Sequence, residues 1–193
     1  MNAMNKRFAA IYAVWAVLLT LAEGVEAQKT LYRLEKGDIR FRSDAPLEVI
    51  EAASTALEGV IDPLTRSFAF SVPVRSFQGF NSPLQREHFN ENYLESDKYP
   101  RATFSGKIIE EIDLEAPGEH VVRVKGKLTI HGREQERIIR GNLRVAGGRV
   151  YLSTDFKVLL AEHNIAIPKI VHQKIAEEIE VRMSAELAAK TSE

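Results

Sequence analysis

From Leu31 onward, hydrophobic side chains recur at every second position with polar or charged ones between them, the period of a β-strand with one buried and one wetted face. Arg66 to Ser76 shows this most plainly, with Phe68, Phe70, Val72 and Val74 on one side and Ser67, Ser71 and Arg75 on the other. The same alternation runs through Ala102 to Ile112, with Ala102, Phe104, Ile108 and Ile112 inward, and through Val122 to Ile130, with Val122, Val124, Leu128 and Ile130 inward. It returns at Ile139 to Val145, at Val150 to Val158 and at Ile175 to Leu187. Strands are also expected near Leu31 to Arg42 and within Val49 to Ile61.

Short turns at Ala116-Pro117-Gly118-Glu119, Gly132-Arg133-Glu134-Gln135 and Ala146-Gly147-Gly148-Arg149 would make neighbouring strands antiparallel. About eight such strands with one apolar face close into a barrel or split into a sandwich. Two stretches depart from the pattern. Leu47 to Val60 fits helical and strand spacing alike, and local pattern leaves both open. Ser82 to Tyr99 is long and polar, with Phe89, Tyr93 and Leu94 at helical spacing; it predicts a short helix able to close one end of a barrel.

Glycine interrupts the inward series at Gly106, Gly126 and Gly141. Such glycines either leave volume unfilled or let strands bend at barrel corners, and both readings stand. Pro73 predicts a bulge, a strand end or a local opening, because proline cannot donate to a strand ladder.

The chain has 193 residues, 45% of them hydrophobic, enough for one domain, expected over residues 28–193. Residues 1–27 read as a signal peptide: Lys6 and Arg7 precede an apolar run from Phe8 to Ala22, and Val25-Glu26-Ala27 predicts cleavage after Ala27. The run is shorter than the ~18 to 20 residues that cross a bilayer, so a periplasmic or secreted product without a stable membrane span is expected. There is no cysteine, hence no disulfide and no lipoprotein acceptor thiol. A net charge of -1, with acids and bases mixed throughout, argues against nucleic acid as a partner.

Catalytic signatures are missing from the sequence. His88 and Glu91 form an H-x-x-E pair rather than H-E-x-x-H, no G-x-S-x-G elbow occurs, and His131 falls on the outward parity of its strand. No catalytic residue, metal ligand or cofactor is therefore expected. An interior walled by phenylalanine, valine, isoleucine and leucine recognises little beyond shape and apolar surface, which favours a lipid.

Three separated segments carry a resemblance: HFNENYLESDKYPRATFSGKI (His88 to Ile108), VKGKLTIHG (Val124 to Gly132) and HNIAIPK (His163 to Lys169), followed by a long alternating strand. In order and spacing they resemble the YceI-like family of exported polyisoprenoid-binding proteins. The resemblance spans Leu31 to Leu187 and implies an all-β, eight-stranded, lipocalin-like antiparallel barrel holding a long isoprenoid lipid such as a quinone. The chain departs from the commoner pattern at Arg133-Glu134 and at Asn90-Glu91-Asn92.

On this reading the tail would lie against Phe68, Phe70 and Val72, then Phe104 and Ile108, then Val124, Gly126, Leu128 and Ile130, and finally Leu143, Phe156 and Val158. Arg86, His88, Phe89 and Tyr93 would cover the head group. A homodimer is compatible with the sequence. Two other readings compete: an exported metal-dependent hydrolase using His88 and Glu91, and a solid-cored interaction module.

Overall fold

The computed structural model describes residues 30–191; the expected signal peptide and its cleavage after Ala27 lie outside the described residues. Nine strands follow one another: β1 Thr30–Asp44, β2 Val49–Ser54, β3 Glu58–Ile61, β4 Ser67–Pro73, β5 Arg101–Ile108, β6 Gly118–Ile130, β7 Arg133–Ala146, β8 Arg149–Leu159 and β9 Glu178–Thr191. One short helix, α1 (Pro83–His88), lies between β4 and β5. Every pairing is antiparallel. Strands β1 and β3 to β9 form a closed eight-membered ring, because β9 returns to pair with β1 from Thr30↔Thr191 to Arg42↔Glu180. The remaining strand, β2, pairs with the second half of β1 while β3 takes the first half.

The alternation in the sequence maps onto this ring. In β4, Phe68, Phe70 and Val72 are buried between exposed or half-buried neighbours, and the outer wall carries cross-strand ion pairs such as Lys127–Glu134 at 2.8 Å and Lys125–Glu136 at 3.0 Å. The ambiguous Leu47 to Val60 stretch is two strands broken at Thr55-Ala56-Leu57. Its helix-favouring residues yield because β1 offers an unpaired edge and burial for Ile50, Ala52 and Ser54.

Three expectations need correction, and of the readings left open for Pro73 the strand end holds. The turn at the end of β6 is His131-Gly132 alone, both at positive φ (51° and 68°), as a two-residue I′ hairpin requires, so Arg133 already opens β7. Pro73 ends β4, where Val74 donates its amide to Pro100 across the gap. Strand β5 stops at Ile108, and the chain beyond it crosses the barrel floor, where Leu114 is 1% exposed and its carbonyl accepts from the Tyr32 hydroxyl at 3.0 Å. Finally, Gly106 and Gly126 face one another and create no void. A Cβ on Gly106 would lie 2.1 Å from the Lys125 carbonyl oxygen, and one on Gly126 would lie 2.5 Å from that of Ser105. These glycines permit close backbone approach.

The ring thus has a base, where the 109–117 segment and the Gly147-Gly148 turn lie, and a mouth, where residues 74–100 and 160–177 fold over. Ser82 caps α1 by accepting from the Gln85 amide at 3.2 Å, and a π-helical turn, Phe89–Tyr93, continues it.

Candidate binding chamber

Beneath the mouth lies a chamber of about 490 Å³, within the range of small-molecule pockets. Ile39 and Phe41 of β1, Val72 of β4, Leu128 and Ile130 of β6, Phe156 and Val158 of β8 and Ile179 and Val181 of β9 wall its barrel side. Its roof comes from the two segments folded over the mouth: Phe77, Phe80, Phe89 and Tyr93 from the first, and Ile165, Val171 and Ile175 from the second. Phe41 stacks on Phe89 at 5.3 Å and meets Phe77 at 5.4 Å, and Phe80 meets Phe89 at 5.0 Å. One aromatic cluster therefore joins β1 to the roof.

Deeper in the barrel a second cavity measures only about 80 Å³. Phe68 and Phe104 pack at 5.0 Å beside it, with Phe70, Ile108, Val124 and Leu143 completing much of the wall. Ile39, Val72, Ala102, Leu128 and Phe156 border both spaces.

Polar groups gather only at the rim. Glu48 accepts from Gln85 at 3.0 Å and from Asn81 at 3.2 Å, which ties α1 to the β1–β2 loop. Burial raises the Tyr93 phenol above its ordinary value, so its hydroxyl keeps its proton near neutrality. His88 and Lys174 complete the polar rim. On the far side, the half-buried His131 joins both roof segments: one ring nitrogen faces the Glu95 carboxylate at 2.8 Å and the other the His163 carbonyl at 3.0 Å. His163 is fully buried; its Nδ1 donates to the Arg133 carbonyl at 3.1 Å, Nε2 has no partner, and desolvation lowers its pKa.

A YceI-like domain model matches residues 37–187. The chain belongs to that family. Among solved structures, this YceI-like barrel is similar to a polyisoprenoid-binding domain from Saccharophagus degradans implicated in plant cell wall breakdown (TM-score 0.70, 15% identity, covering 82% of this chain and 98% of that one). It is similar also to Burkholderia cenocepacia BcnA (TM-score 0.64, 17% identity, covering 78% and 95%). A Campylobacter jejuni YceI protein follows at TM-score 0.55 and 20% identity, covering 70% and 82%. At these identities the likeness is one of fold. No match among curated proteins reaches significance.

The YceI-like barrel distributes the sequence-predicted residues unevenly. Phe68, Phe70, Phe104, Ile108, Val124 and Leu143 border the deep cavity, Ile130 and Val158 the chamber, and Val72, Leu128 and Phe156 both. Gly126 borders neither, since it is pressed against β5. His88, Phe89 and Tyr93 line the chamber, whereas Arg86 points out and donates to the Arg75 carbonyl at 3.1 Å. Glu91 borders the same outer groove as Arg86, on the other side of the segment from His88. Among the described residues no three histidine, aspartate or glutamate side chains converge as a metal site.

Sequence reasoning missed Phe41, Phe77 and Phe80. A β-bulge between Leu34 and Lys36 flips the inward parity of β1, so Tyr32 and then Ile39, Phe41 and Ser43 face in. Phe77 and Phe80 lie in irregular chain, where no period marks them; their signal is aromatic content just before the Ser82-Pro83 helix start.

Proposed function

We propose that this YceI-like protein is an exported carrier or sequestering protein, without catalytic activity, that holds a polyisoprenoid or similar long-chain lipid such as an isoprenoid quinone. The observation that carries the reading is the 490 Å³ chamber, lined mostly by aliphatic and aromatic side chains and polar only at its rim. Each buried methylene contributes roughly 0.8 kcal/mol, so a short run of isoprene units outweighs the ordering cost of association. The tail lies against Val72, Leu128, Ile130, Phe156 and Val158, and the head group rests under Phe89 near Tyr93 and His88. The similar fold of a polyisoprenoid-binding domain supports this assignment, as does the export signal expected in residues 1–27.

The space narrows abruptly at Phe68 and Phe104. Tails long enough to pass this point must displace those rings, and chain length is accordingly the main determinant of affinity. Organic extraction of the purified protein followed by mass spectrometry tests the proposal. A co-purifying isoprenoid lipid, or uptake of added isoprenoid quinone, is expected; repeated extraction of none, with no uptake, would refute it.

A further inference from the structure

Three of the most exposed large aliphatic residues ring the chamber mouth: Ile170 is 91% exposed, Leu47 66% and Leu84 57%. Scattered exposed aliphatics are ordinary, and Leu64 at the base and Val121 and Ile138 on the outer wall are of that kind. The rim residues differ in surrounding one opening. Leu47 donates its amide to the Gln173 carbonyl at 2.9 Å, which joins its loop to the turn bearing Ile170. Gln85, next to Leu84, is bonded to Glu48, next to Leu47. Leu84, Glu48, Val171 and Lys174 all border the chamber itself.

The same rim carries free cations. Lys169 and Lys174, close to Ile170, form no ion pair among the described residues; Lys36 and Lys107 on the barrel strands are unpaired too, but stand apart from the exposed aliphatic tips, whereas Lys98, Lys125, Lys127 and Lys157 each sit within 4 Å of a carboxylate. Nearby acids are engaged or turned away: Glu48 is bonded to Asn81 and Gln85, Glu178 is paired with Lys157, and Glu87 borders the outer groove. Of the rim acids, Glu87, Glu91 and Glu177 are exposed and in no ion pair among the described residues, and of these Glu87 and Glu91 border the outer groove.

We propose that the mouth rim is a bilayer-docking surface, in which Ile170, Leu47 and Leu84 enter the interfacial layer of an anionic membrane and Lys169 and Lys174 face its phosphates. Aliphatic tips interleaved with cations are the composition such an interface selects. Three separated tips do not make the continuous apolar face, about 800 Å² a side, that a stable protein partner requires. Docked in this way, the opening meets the acyl layer and lipid passes between bilayer and chamber without crossing water. The proposal draws its purpose from the lipid-binding reading, but its test does not depend on that reading.

Co-sedimentation with vesicles of phosphatidylcholine alone, and of phosphatidylcholine mixed with phosphatidylglycerol, decides the matter. Wild-type protein should bind the mixed vesicles, more weakly at high salt. Ile170→Asp, and separately the pair Lys169→Glu and Lys174→Glu, should each reduce that binding at least about fivefold. Leu64→Asp, an equally exposed site at the base, should change nothing. Failure of the wild type to bind the mixed vesicles, or equal losses at Ile170 and Leu64, overturns the proposal. So does self-association dispersed by Ile170→Asp in the absence of vesicle binding, which would make the rim a protein interface. Uptake of a prenol delivered from cyclodextrin isolates the underlying reading: the Ile170→Asp variant should retain it, and its absence in the wild type would count against lipid binding while leaving the vesicle result intact.

Discussion

The two halves of this barrel are built from the same alternating strands and end in opposite conditions. Toward the base, Phe68, Phe70 and Phe104 meet one another, Leu114 plugs the floor, and about 80 Å³ is left open. Toward the mouth, the rings of Phe77, Phe80 and Phe89 are drawn into a roof that meets Phe41 of β1, and about 490 Å³ is left beneath it. What separates a core from a container here is therefore where the aromatic side chains attach. Rings on neighbouring barrel strands fill the interior; rings on a segment laid over the rim enclose it.

The contrast can be broken most forcefully by deleting a ring from each half. Phe68→Ala should cost about 3–5 kcal/mol in denaturant unfolding, whereas Phe89→Ala, half-buried beside open space, should cost about 1–2 kcal/mol and chiefly hasten ligand loss. Equal costs would erase the distinction. Tyr32→Phe should cost about 1–2 kcal/mol by leaving the buried Leu114 carbonyl unpaired, with ligand retention unaffected. Ala102→Leu, at the border of the two spaces, should cost less than the roughly 1–3 kcal/mol of overpacking a filled core while shifting preference in a lipid-uptake assay toward shorter tails. Enlarging Gly126 could not make this test, because a Cβ there would strike the Ser105 backbone whether or not the barrel were hollow.

A gentler probe is acid. His163, at the mouth, is held neutral by burial, with its pKa lowered in the folded protein. The unfolded chain takes up a proton below about pH 6.5, so stability should fall as pH drops below that value and level off under the lowered native pKa. His163→Gln should flatten this slope in unfolding measured across the range. The smallest effect is expected from Lys127→Gln on the outer wall, where losing the exposed pair with Glu134 should leave the unfolding midpoint unchanged.

Much of this architecture can be read from the chain, and the reasons for the failures are specific. Period-two alternation identifies β4 to β9 because each keeps one face dry along its length. It cannot see the bulge in β1, since one extra residue reverses the parity of everything beyond it and hides Phe41. Nor can it distinguish an inward glycine that opens space from one demanded by a neighbouring backbone, because the difference lies in the distance across to Lys125 and Ser105. The roof is the least legible part. Phe77 and Phe80 sit in irregular chain, and Arg86 and His88 are near neighbours on a short helix that sets one at the outer groove and the other, still exposed, at the chamber rim.

The seam between β1 and β9 has a kinetic consequence. It joins Thr30 to Thr191, so the last pairing closes a loop spanning the whole described chain, and non-local contacts of that length form slowly, typically on a scale of roughly milliseconds to seconds. Until the final strand arrives, the first has one edge unpaired and the greasy interior lies open like an unrolled sheet. A chain in that state is exposed to self-pairing and aggregation, and the arrival of β9 against β1, rather than any local nucleation event, sets the moment at which the container first exists.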